Sequence, residues 1–167
     1  MATRSRNYSE TEPLMGKQEP SVRVAPNYTE SDGGDADDIL KKGGMVLDPW
    51  QVSVITDWMA IRAGLWLSRT CGGSVPRQNG KTGLIWGRAA AGMILYNEQV
   101  IYTAHLQKTS TETFKEMCKL FESRALRRYV ATRGIRTALG REEIWLKNGS
   151  RIKFLARTRN GGDGQHG

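Results

Sequence analysis

The sequence predicts an α/β fold, a sheet with flanking helices preceded by a disordered polar arm. Three observations carry that prediction. The polar run "SVPRQNGKT" (74–82) passes straight into a small-and-apolar stretch of helical character. Short apolar runs of strand length stand before it, in "LWLSRTCGGSV", and after it, in "QVIYTA". Helical and alternating patterns then succeed one another along residues 46–167.

The elements follow in order. Residues 1–45 are rich in Ser, Thr, Glu, Asp, Gly and Pro. They lack the apolar surface that would offset the entropy of ordering, so they are expected to form the flexible arm, with "GGDADD" as solvated charge. Order is expected from "LDPWQVSVITDWMAIRAG". Asp48 suits an N-cap, Pro49 the first helical position and Gly64 the terminus, while Trp50, Val54, Ile55, Trp58 and Ile61 share one face. "LWLSRTCGGSV" is a strand diluted by Gly72 and Gly73. A helix is expected from Lys81 to Tyr96, with Leu84, Ile85, Ala89, Gly92 and Leu95 in close packing, and then the strand 99–104. Thr109-x-x-Glu112 reads as a capping box opening a helix through Phe114, Met117, Phe121, Ala125 and Tyr129. Its exit is basic, with Arg124, Arg127, Arg128, Arg133 and Arg136. "EIWLKNGSRIKFL" predicts a β-hairpin, with Asn148-Gly149 as a type I′ turn. No internal repeat is present.

The bulk numbers bound the function. The 167 residues are 38% hydrophobic and 25% charged, ordinary values for a globular chain, but the net charge is +8. The arm is slightly acidic, so the excess of base falls on 46–167 and points to a polyanion, nucleic acid first. The two cysteines, Cys71 and Cys118, form neither a CxxC pair nor a disulfide framework, and two histidines make a structural zinc site a poor fit. No secretory h-region or apolar run of spanning length occurs in the sequence, so an intracellular location is expected.

Gly80-Lys81-Thr82 is the candidate phosphate loop. A helix N-terminus offers unpaired N–H groups and partial positive charge to phosphate. Gly80 lets the backbone approach without a Cβ, Lys81 reaches the β- and γ-phosphates, and Thr82 ligates Mg²⁺. The tripeptide alone is weak, since chance yields it in roughly one chain of this size in ten or fifteen. Its placement between strand and helix makes the motif. The alternative is that Gly80 is a turn residue and Lys81 an exposed lysine at a helix start. The full pattern G-x-x-x-x-G-K-T fails at its first position, where Val75 stands.

"VPRQNGKT", followed by "YTAHLQKTSTETF", with "LDPWQ" upstream and "RIKFLARTRNGGDG" downstream, resembles the ATPase motor of the large terminase subunit of tailed double-stranded DNA phages. The resemblance covers about 46 to 167, and its loop tolerates a non-glycine start. It implies a partial P-loop NTPase sheet of the ASCE type. It implies an ATP–Mg²⁺ site built from Gln51, Arg77, Gln78, Asn79, Gly80, Lys81 and Thr82. Lys81 and Arg77 are then the catalytic residues, Arg77 holding the γ-phosphate with its rigid fork. Gln51 would recognise adenine, although Asp48-x-x-Gln51 fits a helix capping box equally well. The loop "TAHLQKTS" would relay nucleotide state or touch DNA, with His105 and Thr109 equally suited to packing or surface roles. Lys108, Arg124, Arg127, Arg128, Arg151, Lys153, Arg157 and Arg159 are candidate DNA contacts.

The function so implied is ATP-driven packaging of double-stranded DNA into a procapsid. The implied partners are a small terminase subunit, a portal protein and further copies in a ring, with no membrane, in the host cytoplasm. A Walker B strand ending Asp-Glu and a nuclease cluster do not occur in 1–167, and Asp163 is no substitute. The chain is therefore expected to be an N-terminal segment, inactive alone and ending before Walker B, with open strand edges and marginal stability. A helicase-like translocase and a non-catalytic basic DNA-binding module are the alternatives.

Overall fold

A computed structural model describes residues 16–76, 79–138 and 141–157. It divides into two units, Met1–Ala91 and Gly92–Gly167.

The first unit contains β1 (Glu30–Ser31), α1 (Gly33–Lys42), α2 (Pro49–Trp58), β2 (Ala60–Arg62), β3 (Leu65–Trp66) and the first part of α3 (Lys81–Tyr96). The strands form a small antiparallel sheet in the order β1-β2-β3. Residues 30–42, expected within the flexible arm, are ordered instead. Ala36, Ile39 and Leu40 are spaced as one helical stripe and are buried. Asp37 pairs with Lys41 one turn on at 2.6 Å, and the Ser31 hydroxyl donates to Thr56 O at 2.6 Å. So "GGDADD" starts a helix whose charges sit on the side away from that stripe, apart from the buried Asp37.

Helix α2 starts at Pro49 as expected but stops at Trp58, because Ala60–Arg62 is drawn into β2, between β1 and β3. The expected strand "LWLSRTCGGSV" survives only as β3. Residues 71–76 form no strand, since two glycines and Pro76 weaken the run and no described strand lies beside it to take its hydrogen bonds. Helix α3 has the expected bounds, and Asn97 beyond it adopts the left-handed conformation (φ 55°) that asparagine tolerates. Leu84 and Ala89 are buried as expected, whereas Ile85 and Leu95 are exposed. Gly87 is a close-approach position, where a Cβ would stand 2.7 Å from both Ile55 Cδ1 and Leu40 Cδ1.

The second unit holds the end of α3, then β4 (Gln99–Ala104), α4 (Gln107–Glu122), a 3-10 turn (Arg127–Tyr129), β5 (Val130–Arg136), β6 (Glu142–Leu146) and β7 (Arg151–Ala156). The sheet order is β4-β7-β6-β5, with β4 parallel to β7 and the other pairs antiparallel. Helix α4 covers one face. Phe114 meets Phe154 edge-on at 5.3 Å, and Met117, Phe121, Ile144 and Ile152 fill the layer.

Three expectations are corrected in this unit. Helix α4 begins two residues before Thr109 and ends at Glu122, so Tyr129 falls in the 3-10 turn. The basic exit becomes the unexpected strand β5, irregular between Val130 and Ile135, with Arg133 at φ 56°. The hairpin forms, but Gly149 alone has positive φ (88°), so the turn is not type I′. Asn148 acts through its side chain, accepting the Ser150 N–H at 3.1 Å and donating to Met93 O at 2.8 Å.

Candidate nucleotide and nucleic-acid sites

Gly80 adopts φ 70° and leads directly into the first turn of α3, with Lys81 exposed and Thr82 half-buried. Gly80 O accepts the Gly83 N–H at 2.9 Å and the Gln51 Nε2–H at 2.8 Å. Gln51, only 5% exposed, turns its other amide atom back on its own helix: Oε1 accepts the Asp48 N–H at 2.7 Å. This is the capping-box bond read from the sequence, with an added clasp on the loop. Both ends of the amide are engaged with protein.

Asn79 and Gly80 border a cavity of about 1040 Å³ that also touches Pro26, Trp50, Trp58 and Val75. One wall is the N-terminal segment, held to α2 by Arg23. Its Nε and Nη2 donate to Asp57 at 2.8 and 2.6 Å, and the Tyr28 hydroxyl donates to the same carboxylate at 2.7 Å. Burial pushes the Asp57 carboxyl up, but hydrogen bonds from Arg23 and Tyr28 and the Arg23 charge outweigh it and hold the group below its ordinary value. Arg77 and Gln78 lie outside the described residues.

The DNA-contact candidates scatter. Lys108 is exposed in the first turn of α4, and Arg124, Arg127 and Arg128 are exposed after its end. Arg128 folds over the Tyr129 ring at 4.9 Å. Arg157 follows β7, where its N–H donates to Ala104 O at 2.7 Å and extends the parallel ladder. His105 and Thr109 are exposed. Arg159 lies outside the described residues.

Arg151 and Lys153 differ from the rest, because the fold joins them to residues the sequence reading did not group with them. The register aligns Arg136, Glu143 and Lys153 in one row across three strands, and Trp145 with Arg151 in the next. The guanidinium carbons of Arg136 and Arg151 lie 5.2 and 4.9 Å from the Trp145 ring centre. Alternation within "EEIWL" signals which residues share a face, but only the unforeseen β5 brings Arg136 beside them.

No protein-family model and no curated protein matches the chain. Among solved structures, the large terminase of bacteriophage HK97 is similar, with a TM-score of 0.60 and 22% sequence identity. The match covers 83% of this chain and 29% of that one, so the chain spans under a third of the length of that protein. The described residues form a mixed α/β structure with two sheets and four α-helices, and the fold resembles that of a phage large terminase.

Proposed function

We propose that the chain is a nucleotide-binding segment of a DNA-packaging motor of the large-terminase type. The observation that carries this reading is the fold likeness to a phage large terminase. The donor set at 80–82 is consistent with it. A glycine in the left-handed conformation, a lysine and a hydroxyl residue at the start of a 16-residue helix suit a triphosphate and its Mg²⁺. Bound ATP–Mg²⁺ supplies the free energy of hydrolysis. Lys81 holds the terminal phosphates, Thr82 ligates the metal, Asn79 and Gly80 supply backbone, and Arg77 and Gln78 complete the loop. Gln51 retains one N–H and one lone pair for the adenine edge, and the cavity beside Trp50 has room for a nucleoside.

On this reading the motor acts on double-stranded DNA with a small subunit and a portal, as a ring in the host cytoplasm. No helix of the described residues is long and apolar enough to cross a membrane. Two observations favour a second reading. The missing strand at 71–76 and the Gln51 amide, bonded to protein at both its ends, suit a non-catalytic basic module in which Gly80 is a helix-start turn.

Titration with a fluorescent ATP analogue separates the two. Mg²⁺-dependent binding in the micromolar range that Lys81→Ala abolishes is expected. Absence of binding, or binding indifferent to Lys81→Ala, would sink the motor reading.

A further inference from the structure

On β6 and the first half of β7 the sheet face turned away from α4 is polar and basic, whereas Ile101 and Leu155 make its β4 side apolar. Ile144, Ile152 and Phe154 point to the helix side and are buried, so the alternating residues Glu143, Trp145, Arg151 and Lys153 point to the other side. There, one carboxylate stands among four cations, Arg136, Arg141, Arg151 and Lys153.

Glu143 does not neutralise them. Its Oε2 accepts the Trp145 indole N–H at 2.7 Å, which fixes the ring. Arg136 Nη1 (3.5 Å) and Lys153 Nζ (3.7 Å) share this one carboxylate in long ion pairs, so each keeps further N–H donors for an anion. Arg136 and Arg151 also lie against the Trp145 ring. A guanidinium held over a ring is already ordered and keeps its N–H edge for an anion, which lowers the entropy cost of binding one. Arg136 is 60% exposed and Lys153 24% exposed, so both are reachable. Alongside lies a cavity of about 510 Å³ bordered by Arg136, Arg141, Glu143, Lys153 and Leu155.

The donors here belong to side chains, because β6 and β7 are each paired on both sides and their N–H groups are committed to the ladder. A compact nucleotide site draws on backbone N–H groups and a helix end, and this face offers neither. Rows of separate cations on a flat sheet suit an extended polyanion touched at successive phosphates, without base reading. The composition agrees, with 14 Lys/Arg against 7 Asp/Glu from Gly92 onward.

We propose that the Arg136–Trp145–Arg151–Lys153 face binds the phosphate backbone of a nucleic-acid strand independently of sequence. This deepens the packaging reading above and rests on it for the choice of DNA as the polymer. The test is fluorescence anisotropy with a labelled random-sequence duplex, on the full chain, across a salt series. Arg136→Gln/Arg151→Gln is expected to weaken binding tenfold or more and to flatten the log–log salt slope by about two. Lys153→Gln alone should flatten it by about one. The control pair Lys115→Gln/Lys119→Gln, exposed on α4 at the opposite side of the sheet, should bind as wild type. Arg151→Gln serves as the mild variant if the double substitution fails to melt cooperatively.

Unchanged affinity and slope in Arg151→Gln and Lys153→Gln would overturn the proposal. So would displacement of the duplex by polyglutamate at equal charge concentration, which would mark a docking face for acidic proteins. Failure of the motor reading looks different: ATP binding would be absent while the arginine substitutions still weakened duplex binding.

Discussion

Gln51 holds Gly80: across 29 residues of sequence, its Nε2 donates to the glycine carbonyl at 2.8 Å while its Oε1 caps α2 through the Asp48 N–H at 2.7 Å. One buried amide thus ties the start of one helix to the loop that opens another. Gln51→Ala removes both bonds and strands two backbone groups, at an expected cost of about 1–3 kcal/mol by urea denaturation. Gln51→Glu keeps the acceptor but sets it against a carbonyl, so it should recover only part of that loss. If Gln51→Ala is neutral, the clasp is not formed in solution.

Gly80 is constrained twice. Its φ of 70° disfavours any Cβ, and a Cβ there would stand 2.8 Å from Gln51 Nε2. Gly80→Ala is expected to cost about 1–2 kcal/mol from the backbone alone, with weaker nucleotide binding. Gly72→Ala meets nothing within 4 Å and has ordinary φ, so it should be silent. Equal melting temperatures for the two variants would contradict the loop conformation.

The Arg23–Asp57–Tyr28 cluster makes acid sensitivity predictable in sign. The folded carboxyl of Asp57 sits below its ordinary value. Its contribution to stability is therefore complete above the unfolded pKa of about 3.9 and disappears as pH falls through the folded value. Wild type and Asp57→Asn should differ most near neutrality and converge in strong acid. Because Arg23 is exposed, salt should shrink the gap. A constant gap from pH 7 to pH 2 would exclude the ion pair as its source.

The two thiols should react in sequence. Cys71 is exposed. Cys118 is buried in α4, and burial, reinforced by the Glu122 charge, pushes its thiol up to about 12. Maleimide at neutral pH should label Cys71 within minutes and Cys118 only as the second unit opens. Equal labelling rates in the native protein would show that α4 is not packed as described.

The legible parts of the fold were those where a single local signal suffices. Helix α3 and strand β4 match their expected bounds because a long apolar pattern and a compact apolar run each speak for themselves. The hairpin was legible from Asn148-Gly149, but the turn type was not, since Asn148 spends its side chain on Ser150 and Met93. Helix α1 was hidden because three apolar residues among three aspartates carry little periodicity, and only burial against the rest of the unit reveals them. At the site, Gly80, Lys81 and Thr82 are neighbours by covalent chemistry. The Gln51 clasp and the arginines around Trp145 depend on pairings distant in sequence, which no local pattern encodes.

The parallel pairing of β4 with β7 sets an order of events as the chain becomes ordered. Strands β5, β6 and β7 follow one another and meet through short antiparallel links, whereas β4 must wait for a partner that lies beyond α4, β5 and β6. Closing that long loop costs entropy before any contact repays it. Pulse-labelled hydrogen exchange during refolding should therefore protect the β6–β7 amides, such as Ile144, before those at the β4–β7 seam, such as Tyr102. Simultaneous protection would place β4 in the nucleus. The slow join lies beside the loop that follows Ala104, so that loop should be the last part of the second unit to take its final form.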